Sequence, residues 1–236
     1  MRKSLLLATL FALGAVGLLQ SYSVPQGGTP SAGKVGASAV WQMSPSFLSS
    51  AHATCDTAGG SPSSYADCFI NQMRKAGASA DAVAFARWLH QTSGGDVGIM
   101  TGFNKVGPVD VGWITYPLRA NTNYGLLFLN GTPGIVNAED LKLLDRAGMQ
   151  QSGQYQDLQG QFPKVGLWPG DRDGTTWPNS QSGPNNGIQF VLSYPLRNGC
   201  QACAHAGFAL FTWNFDAGGK FLGTTFIGLT PPPLKQ

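Results

Sequence analysis

The sequence predicts an α+β fold: an N-terminal helical hairpin and one or two further helices packed on a mainly antiparallel β-sheet. Apolar residues at helical spacing occur before residue 95 and again between residues 137 and 162. Runs of strand length, alternating or continuously apolar, fill much of the rest and dominate after residue 187. Turn signals rich in Gly, Asn and Pro separate these runs at hairpin distances.

The chain opens MRKSLLLATLFALGAVGLLQSYS. Arg2 and Lys3 precede an uncharged stretch over residues 4–19, and Ser21 and Ser23 supply small residues at a cut after Ser23. That order reads as a secretory signal peptide over residues 1–23. The stretch is shorter than the roughly 20 residues a spanning helix needs, so cleavage is expected and no membrane anchor remains. Residues 24–60 read as a Gly/Ser/Pro-rich linker without period, interrupted by Trp41, Met43 and Phe47. Residues 61–230 are expected to form a single α+β domain, followed by a Pro-rich tail over residues 231–236. A chain of that length buries about 70 % of its unfolded surface.

The first helix is SPSSYADCFINQMRKAG. Ser61 or Ser63 caps it, Pro62 suits its first turn and Gly77 stops it; Tyr65, Cys68 or Phe69, Gln72 and Met73 share one side. The second is SADAVAFARWLHQTSGG, with Ser79 as cap, Asp81 in the first turn, Gly94 as stop, and Val83, Phe85, Ala86 and Leu89 as its apolar face. VDVGWITYPLR alternates Val109, Val111 and Trp113 and is a strand; YGLLFLNG is the next, and the chain stays extended over residues 133–136. Asn137 is placed to cap a third helix, AEDLKLLDRAG, whose Glu139 and Asp140 suit the positive end of the helix dipole. A fourth helix is expected over residues 152–162, ended by Pro163. KVGLW is a strand leading into a long polar loop, and three runs over residues 188–195, 207–215 and 221–229 complete a meander with DAGG as a hairpin turn. In the middle run Phe208, Leu210 and Thr212 face one way, and Ala209, Phe211, Trp213 and Phe215 the other.

ITYPLRA at 114–120 and LSYPLRN at 192–198 share Tyr-Pro-Leu-Arg. Each ends an expected strand before a short turn. A duplicated β-hairpin would leave such an echo, and so would similar turn chemistry alone.

Four cysteines allow three pairings. Cys55–Cys68 and Cys200–Cys203 is the simplest, the first closing a loop worth about 3 kcal/mol and the second about 2 kcal/mol in the chain-entropy model. The Cys200–Cys203 pair invites three other readings. Thiol exchange calls for a helix N-terminus to lower the thiol pKa, but Cys203 runs into the strand-like AHAGFALFTWNF. Haem attachment calls for His directly after the second cysteine, where Ala204 stands. A zinc site has only half its usual spacing, with His205 as a third ligand. A structural staple is therefore expected, with no metal and no cofactor.

Other chemistry is sparse. His52, His90 and His205 are the three histidines and Glu139 is the only glutamate; no Gly-x-Ser-x-Gly or His-Glu-x-x-His occurs. WPGDRDG sets Asp171 and Asp173 beside Trp168 and Trp177, a combination suited to a sugar or a cation, though without the remaining acids of an EF-hand loop. Arg119 and Arg197, each after Pro-Leu, could meet an anionic ligand or an aspartate at the sheet edge. The candidate ligand-binding set is thus Arg119, Trp168, Asp171, Asp173, Trp177 and Arg197. Loss of Arg2 and Lys3 leaves 13 basic residues against 12 acidic, net +1, with no basic stripe of the kind nucleic-acid binding needs. The layout resembles that of exported bacterial proteins, which implies no activity. The expected role is a non-catalytic protein of the periplasm or extracellular space that binds another protein or an envelope component. The alternative is a secreted enzyme, either a small hydrolase using Asp171 or Asp173 or a thiol-disulfide oxidoreductase using Cys200 and Cys203. An enzyme should gather His205, Asp171 or Asp173 and an arginine into one pocket.

Overall fold

Helical capping works as the sequence implies. Ser61 Oγ accepts the Ser64 N–H to start α2 (Pro62–Lys75), and Ser79 Oγ accepts the Ala82 N–H to start α3 (Ala80–Thr92). A computed structural model describes residues 34–56, 61–120, 123–170, 174 and 176–231. The expected signal peptide, nearly all of the Pro-rich tail, and Asp171 and Asp173 lie outside the described residues.

The fold is α+β, but the strands make two antiparallel sheets rather than one. The first contains β1 (Ile99–Val106), β2 (Val109–Thr115), β3 (Tyr124–Leu129) and β4 (Ile135–Asn137) in that order. The second contains β5 (Val165–Leu167), β7 (Ile188–Asn198), β8 (His205–Phe215) and β9 (Phe221–Thr230) in that order, with β6 (Asn179–Ser182) also paired to β7.

Side-chain alternation explains how they stack. Val109, Val111 and Trp113 of β2 join Leu126 and Phe128 of β3 on one face. There they meet Phe190, Leu192, Tyr194, Ala209, Phe211, Trp213 and Phe215 of the second sheet. The Phe128 ring lies 4.8 Å from Phe190, 5.0 Å from Phe215 and 5.5 Å from Trp213. The opposite face of the first sheet, with Met100, Ile114, Leu127 and Leu129, packs on Phe85, Trp88 and Leu89 of α3. Val83 and Ala86 of α3 turn instead toward Phe69, Ile70 and Met73 of α2. The layers are helices, first sheet, second sheet.

One end of the sandwich is stitched by backbone. The Thr132 N–H donates to Gly219 O at 2.9 Å and Thr132 O accepts the Phe221 N–H at 2.8 Å. A Cβ on Gly131 would sit 2.4 Å from Gly219 O, so the approach requires glycine there.

Three expectations need correction. Residues 45–56, read as linker, form α1 (Pro45–Asp56), with Ala51 and Cys55 buried. Its apolar period is weak, and it is held by Phe47 packing edge-on between Trp41 and Phe69 at 4.9 and 5.4 Å. Its cap, Ser44 Oγ accepting the Phe47 N–H, was present in the sequence. The third helix is instead a turn at Asn137, a 3₁₀ turn at Leu141–Leu143, and a separate α4 (Arg146–Gln151). Asn137, Asp140 and Asp145 each accept a nearby backbone N–H, of Glu139, Lys142 and Gly148 respectively, and such local bonds divert the backbone from one continuous helix. Finally, β1 and β6 were not expected: β1 is bulged between Met100 and Gly102, and β6 is polar and exposed throughout.

The fourth helix is α5 (Gly153–Gln161), capped by Ser152. Together α4 and α5 close the side of the sandwich along β9. Met149 and Tyr155 enter the inter-sheet core. Asp145 Oδ2 accepts the Phe226 N–H and Gln154 Oε1 accepts the Leu229 N–H, both at 3.2 Å.

Replacing Phe128 by Ala should cost about 3–5 kcal/mol by urea denaturation, because its ring meets three others from the facing sheet. Asp145→Ala removes the α4 cap and a partner of the β9 edge at once. It should cost about 1–3 kcal/mol in the same assay, and a cost near zero would show that the edge bond is replaceable by water.

Candidate interaction surface

The expected ligand-binding residues divide among three places. Arg119 follows β2, and its Nη2 lies 2.6 Å from Asp96 Oδ2 while its guanidinium carbon stands 3.5 Å over the Tyr116 ring. It therefore ties the turn after β2 to the loop after α3. Trp177 packs on Trp113 with ring centroids 6.0 Å apart, and a Cβ on Gly102 would come within 3.2 Å of its indole. It anchors the polar loop to the first sheet. Asp171 and Asp173 lie outside the described residues.

Trp168 and Arg197 share the third place. Gly166 of β5 stands opposite Arg197 in the β5–β7 register, Leu167 opposite Leu196, and the Trp168 N–H continues the ladder to Pro195 O at 3.0 Å. Val165 and Leu167 face the inter-sheet core, so alternation puts Trp168, Pro195 and Arg197 on the outward face of the second sheet.

The remaining strands extend that face. Opposite the inward aromatic residues lie Gln189, Val191 and Ser193 of β7 and Phe208, Leu210, Thr212 and Asn214 of β8, of which Thr212 and Asn214 are themselves buried; the placing of Phe208, Leu210 and Thr212 is the one expected from the sequence. In β9 the register slips twice, between the partners of Leu210 and Phe211 and between those of Asn214 and Phe215. The extra residues are Ile227 and Leu222, exposed by 49 % and 46 %. Val191, Phe208, Leu210, Leu222 and Ile227 belong to none of the three cores.

Arg197 and His205, paired across β7 and β8, are the ionisable residues at one end of this face. The His205 ring meets Phe208 edge-on at 4.5 Å, and its buried Nε2 has no hydrogen-bond partner among the described residues. The Cys200–Cys203 disulfide closes the turn between these strands, and Cys55–Cys68 joins α1 to α2. The sequence reading missed Leu222 and Ile227. The signal was there, in FLGTTFIGLT, where each of the two residues precedes a glycine that breaks the two-residue alternation.

Other chemical groups are dispersed. His52 Nδ1 pairs with Tyr65 Oη in the helical layer, and His90 Nδ1 with Gly95 O after α3. Among the described residues, no three His, Cys, Asp or Glu side chains gather to hold a metal. A cavity of about 250 Å³ is lined by Ser180, Gln181, Ser182 and Asn186, and one of about 260 Å³ by Arg74, Val83 and Arg87. Neither contains an expected ligand residue.

The two echo tyrosines behave differently. Tyr194 lies within β7 and its hydroxyl donates to Ala138 O at 2.7 Å. Tyr116 follows β2 on the helix side, and its buried hydroxyl has no hydrogen-bond partner among the described residues. Burial pushes the Tyr116 pKa up to about 12, the Glu139 and Asp96 carboxylates add to the rise, and Arg119 opposes it.

Compared with protein-family models, with curated proteins and with solved structures, the chain matches none of them.

Tyr116 keeps its proton in the folded protein to about pH 12, whereas the unfolded chain releases it near the ordinary tyrosine value of 10.0. Its contribution is therefore complete below pH 10 and is lost as pH rises from about 10 to 12, by about 3 kcal/mol. Denaturation of wild type and Tyr116→Phe at rising pH should show the variant equal or more stable at neutral pH, since it removes an unpaired hydroxyl. It should also show a shallower alkaline loss. Parallel profiles would remove Tyr116 as the source.

Proposed function

We propose that this chain is an exported, non-catalytic binding module that holds a protein or cell-envelope component on the outward face of its second sheet. The observation that carries the reading is the asymmetry of the layers. Both faces of the first sheet are buried in cores, whereas the second sheet buries one face and leaves Val191, Phe208, Leu210, Leu222 and Ile227 outside every core. Aliphatic and aromatic groups among Gln, Ser and Thr, with Trp168 and Arg197 at one end, combine apolar area with hydrogen-bonding groups, as the core and rim of an interface do.

Export is supported by the leader-like order of residues 1–23 and by two disulfides, which persist in oxidising compartments. Among the described residues no helix is long and apolar enough to cross a membrane. For the rival oxidoreductase reading, Cys200 and Cys203 stand in a strand-to-strand turn, away from the helix N-terminus that would favour a thiolate.

The test is co-sedimentation of purified mature protein with isolated envelope fractions. Wild type should be retained, and Val191→Lys with Leu210→Lys should lower retention at least tenfold while the far-UV circular dichroism stays unchanged. Equal retention of a folded double variant would sink the proposal.

A further inference from the structure

We propose that the groove where α2 meets α3 binds an anionic amphiphile. Arg74 and Arg87 hold its phosphate or carboxylate head, and its alkyl chain lies on the small apolar residues between them. The site belongs to the helical layer and does not depend on the reading of the second sheet's outward face.

The groove has a volume of about 260 Å³ and is lined by Arg74, Ala78, Ala80, Val83, Ala84 and Arg87. The sequence of α3 accounts for it. Phe85, Trp88 and Leu89 go to the first sheet, and Val83 and Ala86 go to α2. Ala80, Ala84 and Arg87 then follow one another at helical spacing along the side that is left, and alanine there leaves room beside the end of α2. Local bonds fix the corner. The Gly77 N–H donates to Arg74 O at 3.2 Å, the Ala78 N–H to Met73 O at 3.0 Å, and Ser79 Oγ to Ser38 O at 2.6 Å. The walls therefore stand ready before a ligand arrives.

Charge selects the occupant. Neither guanidinium makes an ion pair or hydrogen bond with a described residue. Their neighbours three and four positions along the helices are Ile70 and Asn71 for Arg74, and Val83, Ala84, His90 and Gln91 for Arg87, none of them acidic. The carboxylates on the same two helices, Asp67 and Asp81, line no part of the groove. Two cations facing one groove with no carboxylate between them repel each other. A phosphate or carboxylate placed there relieves both, and its oxygens match the guanidinium fork. The other four lining residues offer only methyl and isopropyl side chains, so what enters beyond the head group is hydrocarbon. An apolar wall with a few placed polar groups is the usual make-up of a small-molecule site, and the volume, just under the usual range, suits a head group with a short stretch of chain.

Isothermal titration calorimetry of the purified, disulfide-bonded protein with hexyl phosphate tests this. Wild type should bind it. Inorganic phosphate, which lacks the chain, and hexylammonium, which reverses the charge, should each bind at least tenfold more weakly. Arg74→Gln and Arg87→Gln should each lower affinity for hexyl phosphate about tenfold. Ala84→Leu fills the groove without changing charge and should do the same. Lys75→Gln, exposed beside Arg74 but outside the groove, should leave affinity unchanged. A wild type that does not bind hexyl phosphate overturns the inference. So does inorganic phosphate binding equally well, or affinity that survives both arginine substitutions in a folded protein. Vesicles of phosphatidylglycerol in phosphatidylcholine separate two sources of the ligand. Retention that falls on Arg87→Gln places the head group in a lipid surface; hexyl phosphate binding without vesicle retention makes the ligand a free amphiphile. Val191→Lys with Leu210→Lys, on the second sheet, should alter neither readout, so this site and the sheet face stand or fall separately.

Discussion

Everything in this structure depends on the apolar contact between the two sheets. Phe128 reaches from the first sheet into a ring of Phe190, Trp213 and Phe215 from the second, and Phe221 stacks on Trp213 at 5.5 Å to extend it. Aromatic side chains bury large areas and gain further from offset and edge-on geometry, so this cluster fixes which face of each strand is inside. Once Phe128 and Val111 are committed to the sandwich, Leu127, Leu129 and Ile114 must face the other way, and a helical layer has to cover them. The position of α3 follows from that demand. It serves two neighbours, giving Phe85 and Leu89 to the sheet and Val83 and Ala86 to α2.

Polar groups then limit how the sandwich ends. A sheet edge exposes backbone donors, and burying or blocking them requires acceptors in the right places. Asp145 supplies two such bonds from one side chain, one to its own helix and one to β9. Thr224 completes the junction, donating to Leu143 O and accepting the Asp145 N–H. The same Asx chemistry that keeps residues 137–151 from forming one helix therefore provides the acceptor that closes the β9 edge. A single longer helix would not have placed Asp145 at a helix start facing a strand.

Much of this was legible in the sequence, and the failures have physical causes. Ser61 and Ser79 announced their helices because each cap is a local bond between residues three apart. The inward and outward sides of β8 could be read because alternation is intrinsic to a strand. The two-sheet arrangement could not, since β2 is buried on both faces and its pattern reads the same whatever covers it. α1 escaped notice because its burial comes from Phe47, Ala51 and Cys55 meeting α2 across the chain, which no local period records. Arg119 and Trp177 were reasonable ligand candidates as residue types, but the fold uses them to hold a turn and a loop.

The candidate surface was hard to read for a different reason. An antiparallel sheet may leave one face to water, so outward Gln, Ser and Thr on β7 and β8 suggest no more than solvation. What changes the reading is β9, where Phe221, Phe226 and Leu229 stand five and three residues apart, so strict alternation could not turn all three inward. Its two bulges instead bring Leu222 and Ile227 to the surface beside Gly223 and Gly228. A bulge disturbs the ladder and bends the strand, and each of the two here resolves one of those odd spacings, so that Phe221, Phe226 and Leu229 all reach the inner face. The exposure of Leu222 and Ile227 is thus a consequence of turning three large residues into the core, and it is what gives the face outside the cores the apolar area on which the proposed binding reading rests.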